Sequence, residues 1–127
     1  LPMSVPSHCQ LIKPISADFE QSLDKLTFTV PNCQIINNVD AAIETNIEQI
    51  KQALVKQLYS PVRWVEIVQK LYQNGVATVV ECGPGRVLTG LIKRIERKIE
   101  RCNLGNVEDF EKTMNQFDAK ELEHVES

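Results

Sequence analysis

Of the two histidines in this 127-residue chain, His8 is placed where chemistry is plausible. It stands in Val5-Pro6-Ser7-His8-Cys9, where a proline-containing approach gives way to a helical pattern, whereas His124 lies in acidic sequence. Imidazole titrates near neutrality, so a histidine fixed just outside a helix start suits a general base. The neighbouring Ser7 and Cys9 do not complete a nucleophile-base pair with it, because adjacent side chains on a helix do not face one another. No Gly-x-Ser-x-Gly elbow occurs in the chain, so a base at His8 requires a nucleophile on other polypeptide.

Three further constellations have both a chemical and a structural reading. Gln57-Leu58-Tyr59-Ser60-Pro61-Val62-Arg63-Trp64 reads as a helix-proline-helix corner. The end of its first helix presents backbone carbonyls without intrahelical partners. One such carbonyl can accept from His8 and set its tautomer, as an aspartate does in a serine-protease triad. Glu81-Cys82-Gly83-Pro84-Gly85-Arg86 is a strand-to-helix turn that superficially resembles phosphate-binding loops. It fits neither the dinucleotide nor the Walker pattern, and a tight structural turn is the better reading. Arg94, Arg97, Lys98 and Arg101 recur at helical spacing. They form either a solvated face with Glu-Arg pairs or a docking ridge for an acidic partner.

The elements that must position these residues follow from periodicity. Leu11, Ile12, Ile15, Phe19, Leu23 and Leu26 predict a helical stripe over Cys9 to Leu26, kinked at Pro14 or regular only beyond it. Thr27 to Val30 and Gln34 to Ile36 predict two short strands, followed by a polar loop to Thr45. Asn46 caps a helix carrying Ile47, Ile50, Leu54, Val55 and Leu58. Pro61 is expected in the first turn of the next helix, near Val62 to Gln73, which Asn74-Gly75 ends. Val76 to Val80 reads as a buried strand, Val87 to Arg101 as a helix, and Asn103 to Asn106 as a break. A last amphipathic helix carries Val107, Phe110, Met114, Phe117 and Leu122, fraying toward Ser127. Helices alternating with short strands imply an α/β class.

Composition narrows the partners. Apolar content of 43% and charged content of 24% describe a soluble globular protein, and the net charge of -3 argues against general nucleic-acid binding. The charge is uneven: residues 107–127 carry a net of -5 and residues 1–106 a net of +2. Cys9, Cys33, Cys82 and Cys102 are widely spaced, which favours free thiols in a reducing compartment. No spanning apolar run or signal peptide is present, so a cytoplasmic location without membrane association is expected. The opening Leu1-Pro2-Met3 is read as the start of a piece of a longer protein.

Four stretches together resemble the C-terminal part of bacterial malonyl-CoA:acyl carrier protein transacylases. They are Leu1 through Cys9, Asn37-Asn38-Val39-Asp40, Gln57 through Trp64, and Glu81 through Leu91. The likeness runs from residue 1 to about residue 95 with order and spacing kept. It implies an α/β-hydrolase-like layered acyltransferase domain, with residues 1–106 its catalytic-histidine portion and 107–127 an acidic helical tail. It also implies malonyl transfer from coenzyme A, through a seryl ester, to the phosphopantetheine thiol of acyl carrier protein for fatty acid biosynthesis. His8 matches the family's base, and Gln57 the position whose main-chain carbonyl orients it. The coenzyme A thioester is a substrate, and no cofactor or metal is implied.

The family's serine, oxyanion hole and carboxylate-binding arginine would lie on a missing N-terminal half, so the piece alone is expected to be inactive. In related synthase domains the four residues ending in the histidine correlate with malonyl or methylmalonyl choice. Here they are Val5-Pro6-Ser7-His8, with Ser7 small where a bulky aromatic would exclude a methyl, which makes Ser7 a candidate substrate contact. Two other classes compete with this reading. One is a non-catalytic module docking an acidic partner through Arg94, Arg97, Lys98 and Arg101. The other is a thiol protein using Cys9 or Cys82.

Overall fold

The structure, a computed structural model, describes residues 6–125, with side chains as far as residue 118. Leu1 to Val5 of the first motif, and the side chains of Leu122 and His124, therefore lie outside the described residues. The chain divides into two compact units, Leu1–Ile67 and Val68–Ser127. Both mix helices with short strands, the α/β class that the alternation predicts.

The first unit opens with a 3₁₀ helix, Gln10–Ile15, that contains Pro14 and leads directly into α1, Ser16–Asp24. The regular helix therefore begins just past the proline, whose missing N–H and ring are incompatible with a helix interior. Thr27 to Val30 is not a strand, correcting the expectation. Among the described residues it has no ladder partner, and β-forming composition without one does not hold a strand. The expected strand Gln34 to Ile36 is present as β1, Ile35–Ile36, and its antiparallel partner β2, Ile43–Glu44, lies where a polar loop was expected.

Asparagine chemistry makes that hairpin. Asn37 Oδ1 accepts from the amides of Val39 (2.9 Å) and Asp40 (3.2 Å), and Asp40 Oδ1 accepts from the Ala42 amide (3.0 Å). Such side-chain bonds imitate a backbone turn. The Asn37 amide closes it onto the Ala42 carbonyl at 3.1 Å, and Ala41 takes φ 54° at the tip. Then α2, Ile47–Tyr59, starts at Asn46, whose side chain accepts from the amides of Glu48 and Gln49 as an N-cap should. It packs on α1, the 3₁₀ helix and β2. Leu23 and Val55 are buried in this unit.

The third helix, α3, Trp64–Gln73, begins later than expected, with Pro61 outside it. The division between the units falls within this helix. In the second unit β3, Thr78–Glu81, begins two residues later than the expected strand and is half-buried rather than buried; it leads into α4, Val87–Ile95, and then β4, Glu100–Asn103. The two strands pair in parallel, Thr78 with Glu100 through Glu81 with Asn103.

The expected helix from Val87 to Arg101 therefore ends six residues early. Glu96 is extended, and its carboxylate accepts from the Lys98 amide at 3.0 Å to make the turn. A parallel ladder, with Ile99 wholly buried and Cys102 nearly so, outweighs the helical spacing of the surrounding charges. Arg94, Arg97, Lys98 and Arg101 consequently do not share a helix face. Arg94 is on α4, Arg97 and Lys98 are in the turn, and Arg101 is on β4. Asn103, placed by sequence in a break, is the last residue of β4. The final helix, α5, Val107–Val125, packs on β4.

Candidate active site

His8 and Cys9 form a bend ahead of the 3₁₀ helix, and His8 has φ 51°. This is the left-handed region, which costs a residue bearing a Cβ about 1 kcal/mol or more. The distortion brings the exposed imidazole to the end of α2. His8 Nδ1 lies 2.6 Å from the main-chain oxygen of Gln57, 49 residues away in sequence.

A carbonyl oxygen has no proton to give, so Nδ1 must be the protonated nitrogen in that bond. In the neutral ring the lone pair then sits on Nε2, available as a base. The Gln57 carbonyl is accessible because α2 stops at Tyr59 and Ser60 turns extended, with φ −112° and ψ 147°. A residue preceding proline is steered to that conformation by the proline ring. The Tyr59 carbonyl, also at the helix end, accepts from Gln10 Nε2 at 3.3 Å.

Behind these contacts lies a polar support. Asn38 Nδ2 donates to Gln57 Oε1 (3.4 Å), and the Arg63 amide donates to the Asn38 carbonyl (3.0 Å). The Arg63 guanidinium pairs with Glu66, a hydrogen bond and charge attraction that raise its pKa further; Asp40 adds to the effect. The Asp40 carboxyl is held below its ordinary range chiefly by the Ala42 amide and then by Asn37. A cavity of about 100 Å³ lies beside this support, lined by Ile36, Asn38, Ile50, Leu54 and Gln57 among others.

Of the sequence-nominated residues, His8 and the Gln57 carbonyl are thus in contact, and Ser7 is exposed next to them. Two contributors escaped the sequence reading. Asn38 was noted only as part of a motif, and Gln10 lies two residues beyond His8 with nothing in its type to mark it.

The glycine-bearing turn in the second unit is structural. Its helix-start amides are already occupied by an anion of the chain itself: Glu81 accepts from the amides of Leu88 (3.0 Å) and Thr89 (2.8 Å). Partial burial pushes the Glu81 carboxyl up, but the Thr89, Leu88 and Val87 bonds together outweigh it and leave the pKa lowered. The side chain of Asn103 clamps the turn, donating to the Gly85 carbonyl (2.6 Å) and accepting from the Gly105 amide (2.7 Å). A Cβ on Gly105 would lie 2.7 Å from Asn103 Oδ1 and 3.1 Å from the Gly83 oxygen, so this close approach requires glycine.

Arg86, held further protonated by its hydrogen bond to Asp109 at 2.6 Å, opens a cavity of about 370 Å³ beyond the turn. Lys93, Arg101 and Lys112 also line it. All four cysteines are free thiols. Among the described residues no cluster of three metal-ligating side chains occurs, and no helix is long and apolar enough to cross a membrane.

Comparison with known proteins gives this arrangement a class. The fold is that of acyltransferases acting on acyl carrier protein. An acyl carrier protein S-malonyltransferase from Vibrio cholerae superposes with a TM-score of 0.83 at 46% identity, over 89% of this chain and 37% of that one. A malonyl-transacylase solved in complex with a type II PKS acyl-carrier protein gives 0.82 at 44% identity, over 86% and 35%.

More particularly, the malonyl CoA-acyl carrier protein transacylase of Haemophilus influenzae is 44% identical over 110 residues, 87% of this chain and 35% of the relative. The chain corresponds to the C-terminal part of such transacylases, as its motifs suggested, and spans about a third of the length of the curated relatives it matches. No family model matches it.

Proposed function

We propose that these residues serve, within a longer polypeptide, the transfer of malonyl from coenzyme A to the phosphopantetheine thiol of acyl carrier protein, with His8 as general base. The observation that carries this reading is the 2.6 Å contact between His8 Nδ1 and the Gln57 carbonyl. It assigns the lone pair of the neutral ring to Nε2 and steadies the imidazolium that forms when a proton is taken.

In the first half-reaction Nε2 removes the proton of a serine supplied by the rest of the polypeptide. The serine oxygen attacks the thioester carbonyl, the carbon-sulfur bond breaks, and the imidazolium returns the proton to the departing coenzyme A thiolate. In the second, Nε2 deprotonates the carrier thiol, which attacks the seryl ester. The serine oxygen leaves and recovers the proton. A carbonyl suffices as the orienting group, since the ring needs a fixed acceptor and not a second charge. Ser7, small and exposed beside the base, leaves room for the malonyl group. Function in the cytoplasm, in fatty acid synthesis, follows from this reading.

The test incubates the longer polypeptide with malonyl-CoA and follows the covalent malonyl ester by rapid-quench mass spectrometry. The parent should acylate quickly, and His8→Ala should slow acylation by about 10²–10⁴-fold. The isolated 127-residue chain should take up no malonyl. Rapid acylation by His8→Ala would remove His8 from the role of base.

A further inference from the structure

We infer that Pro61 is a positioning residue for His8, acting through the N–H that it lacks; the inference rests on the general-base reading above. In a continuing α-helix the carbonyl of residue i accepts from the amide of residue i+4. For Gln57 that residue is Pro61, which has no amide proton.

Proline at this position does two things to one carbonyl. Its ring forces Ser60 to be extended, which ends α2 at Tyr59, and its tertiary nitrogen removes the backbone donor that would compete for the Gln57 oxygen. The oxygen is left to the imidazole, 2.6 Å away.

The Tyr59 carbonyl, at the same helix end, shows the same division of labour. Tyr59 would be served by the amide of Arg63, but that amide donates to the Asn38 carbonyl at 3.0 Å. The Tyr59 oxygen accepts from the Gln10 side chain instead. Two carbonyls at one helix end thus receive two side chains, His8 and Gln10, from a single turn of chain, and in each case the amide four residues on is missing or diverted. Strain at His8, with its φ of 51°, persists against this fixed pair of acceptors. Pro61 touches no reacting atom, and its contribution is to the tautomer and direction of the ring.

The experiment uses the full polypeptide and compares Pro61→Ala with the α-hydroxy analogue of alanine introduced at position 61 by nonsense suppression. The ester linkage of the analogue has no N–H, so it keeps the missing donor while losing the proline ring. Three quantities are read: the ¹⁵N shifts of the His8 ring, the pH dependence of kcat, and KM for malonyl-CoA.

Pro61→Ala should mix the two His8 tautomers, distort the pH profile and lower kcat about tenfold with KM little changed. The α-hydroxy analogue should restore the parental ¹⁵N shifts and bring kcat within about threefold of the parent. Parental shifts in Pro61→Ala would overturn the inference, as would an α-hydroxy analogue no better than alanine. The analogue decides the question even if Pro61→Ala does not fold. The ¹⁵N shifts report ring orientation without any turnover. Failure of the base reading, seen as an active His8→Ala, is therefore distinguishable from failure of the Pro61 inference.

Discussion

The two units hold themselves together by different means. In the first, the paired strands among the described residues are two residues long, and the chain path is set by side chains bonding to main chain: Asn37 and Asp40 in the hairpin, Asn46 at the helix start, His8 and Gln10 at the helix end. In the second, Glu81, Glu96 and Asn103 also bond to main chain in the turns, but they are added to a four-residue parallel ladder covered by α4 and α5, with Ile92, Ile99 and Cys102 buried. Regular structure satisfies its own backbone and leaves little for a functional side chain to grip. Irregular structure leaves amides and carbonyls to be claimed. The base proposed here stands in the irregular unit, where a spare carbonyl exists.

Substitutions can sharpen or break this contrast. The largest effect is expected from Ile99→Ala, which empties a fully buried site in the second unit. It should cost about 3 kcal/mol in urea denaturation, and a loss below about 1 kcal/mol would remove apolar burial as that unit's organising force.

Asn37→Ala should cost about 2 kcal/mol by stranding the Val39 and Asp40 amides. Hydrogen exchange should accelerate at those two positions, and Asn37→Asp, which keeps the acceptor oxygen, should recover part of the loss.

Glu81→Gln should cost about 1 kcal/mol at neutral pH. The folded carboxyl lies below its ordinary value of 4.5, so its contribution is complete above that value and is lost as pH falls through the lowered folded pKa. Parent and variant should therefore converge in stability once the pH falls below the lowered folded pKa, measurable as thermal midpoints across a pH series.

The smallest effect is expected from Gln57→Ala. Only the 3.4 Å bond to Asn38 is lost, and the carbonyl remains, so the His8 ring shifts should stay parental and stability should change by no more than about 0.5 kcal/mol.

Legibility in the sequence followed the same contrast. The apolar stripes of α1 and α2, the Asn46 cap and the strand before the glycine turn were readable because burial and capping leave periodic or local signatures. Of the β1–β2 hairpin only β1 was, within the expected strand Gln34 to Ile36; β2 lies where a polar loop was expected, because two residues leave no alternation to detect. The fourth strand was missed for a different reason. Glu100 and Arg101 continue a run of charges at helical spacing, and only the long-range pairing with Thr78 and Val79 selects the extended form. The contact between His8 and Gln57 was suggested by family likeness. From residue types alone, a helix-end carbonyl could be nominated as the partner of His8, but not which of those carbonyls it is.

The acceptor that fixes His8 is a main-chain oxygen, and this has a genetic consequence. Every codon at position 57 encodes that atom, so no missense change there can delete it. Damage to the arrangement must arrive indirectly, through changes that move the helix end or restore a competing donor. The population of tolerated alleles at position 57 should accordingly be broad, while the vulnerable codons lie a few residues downstream.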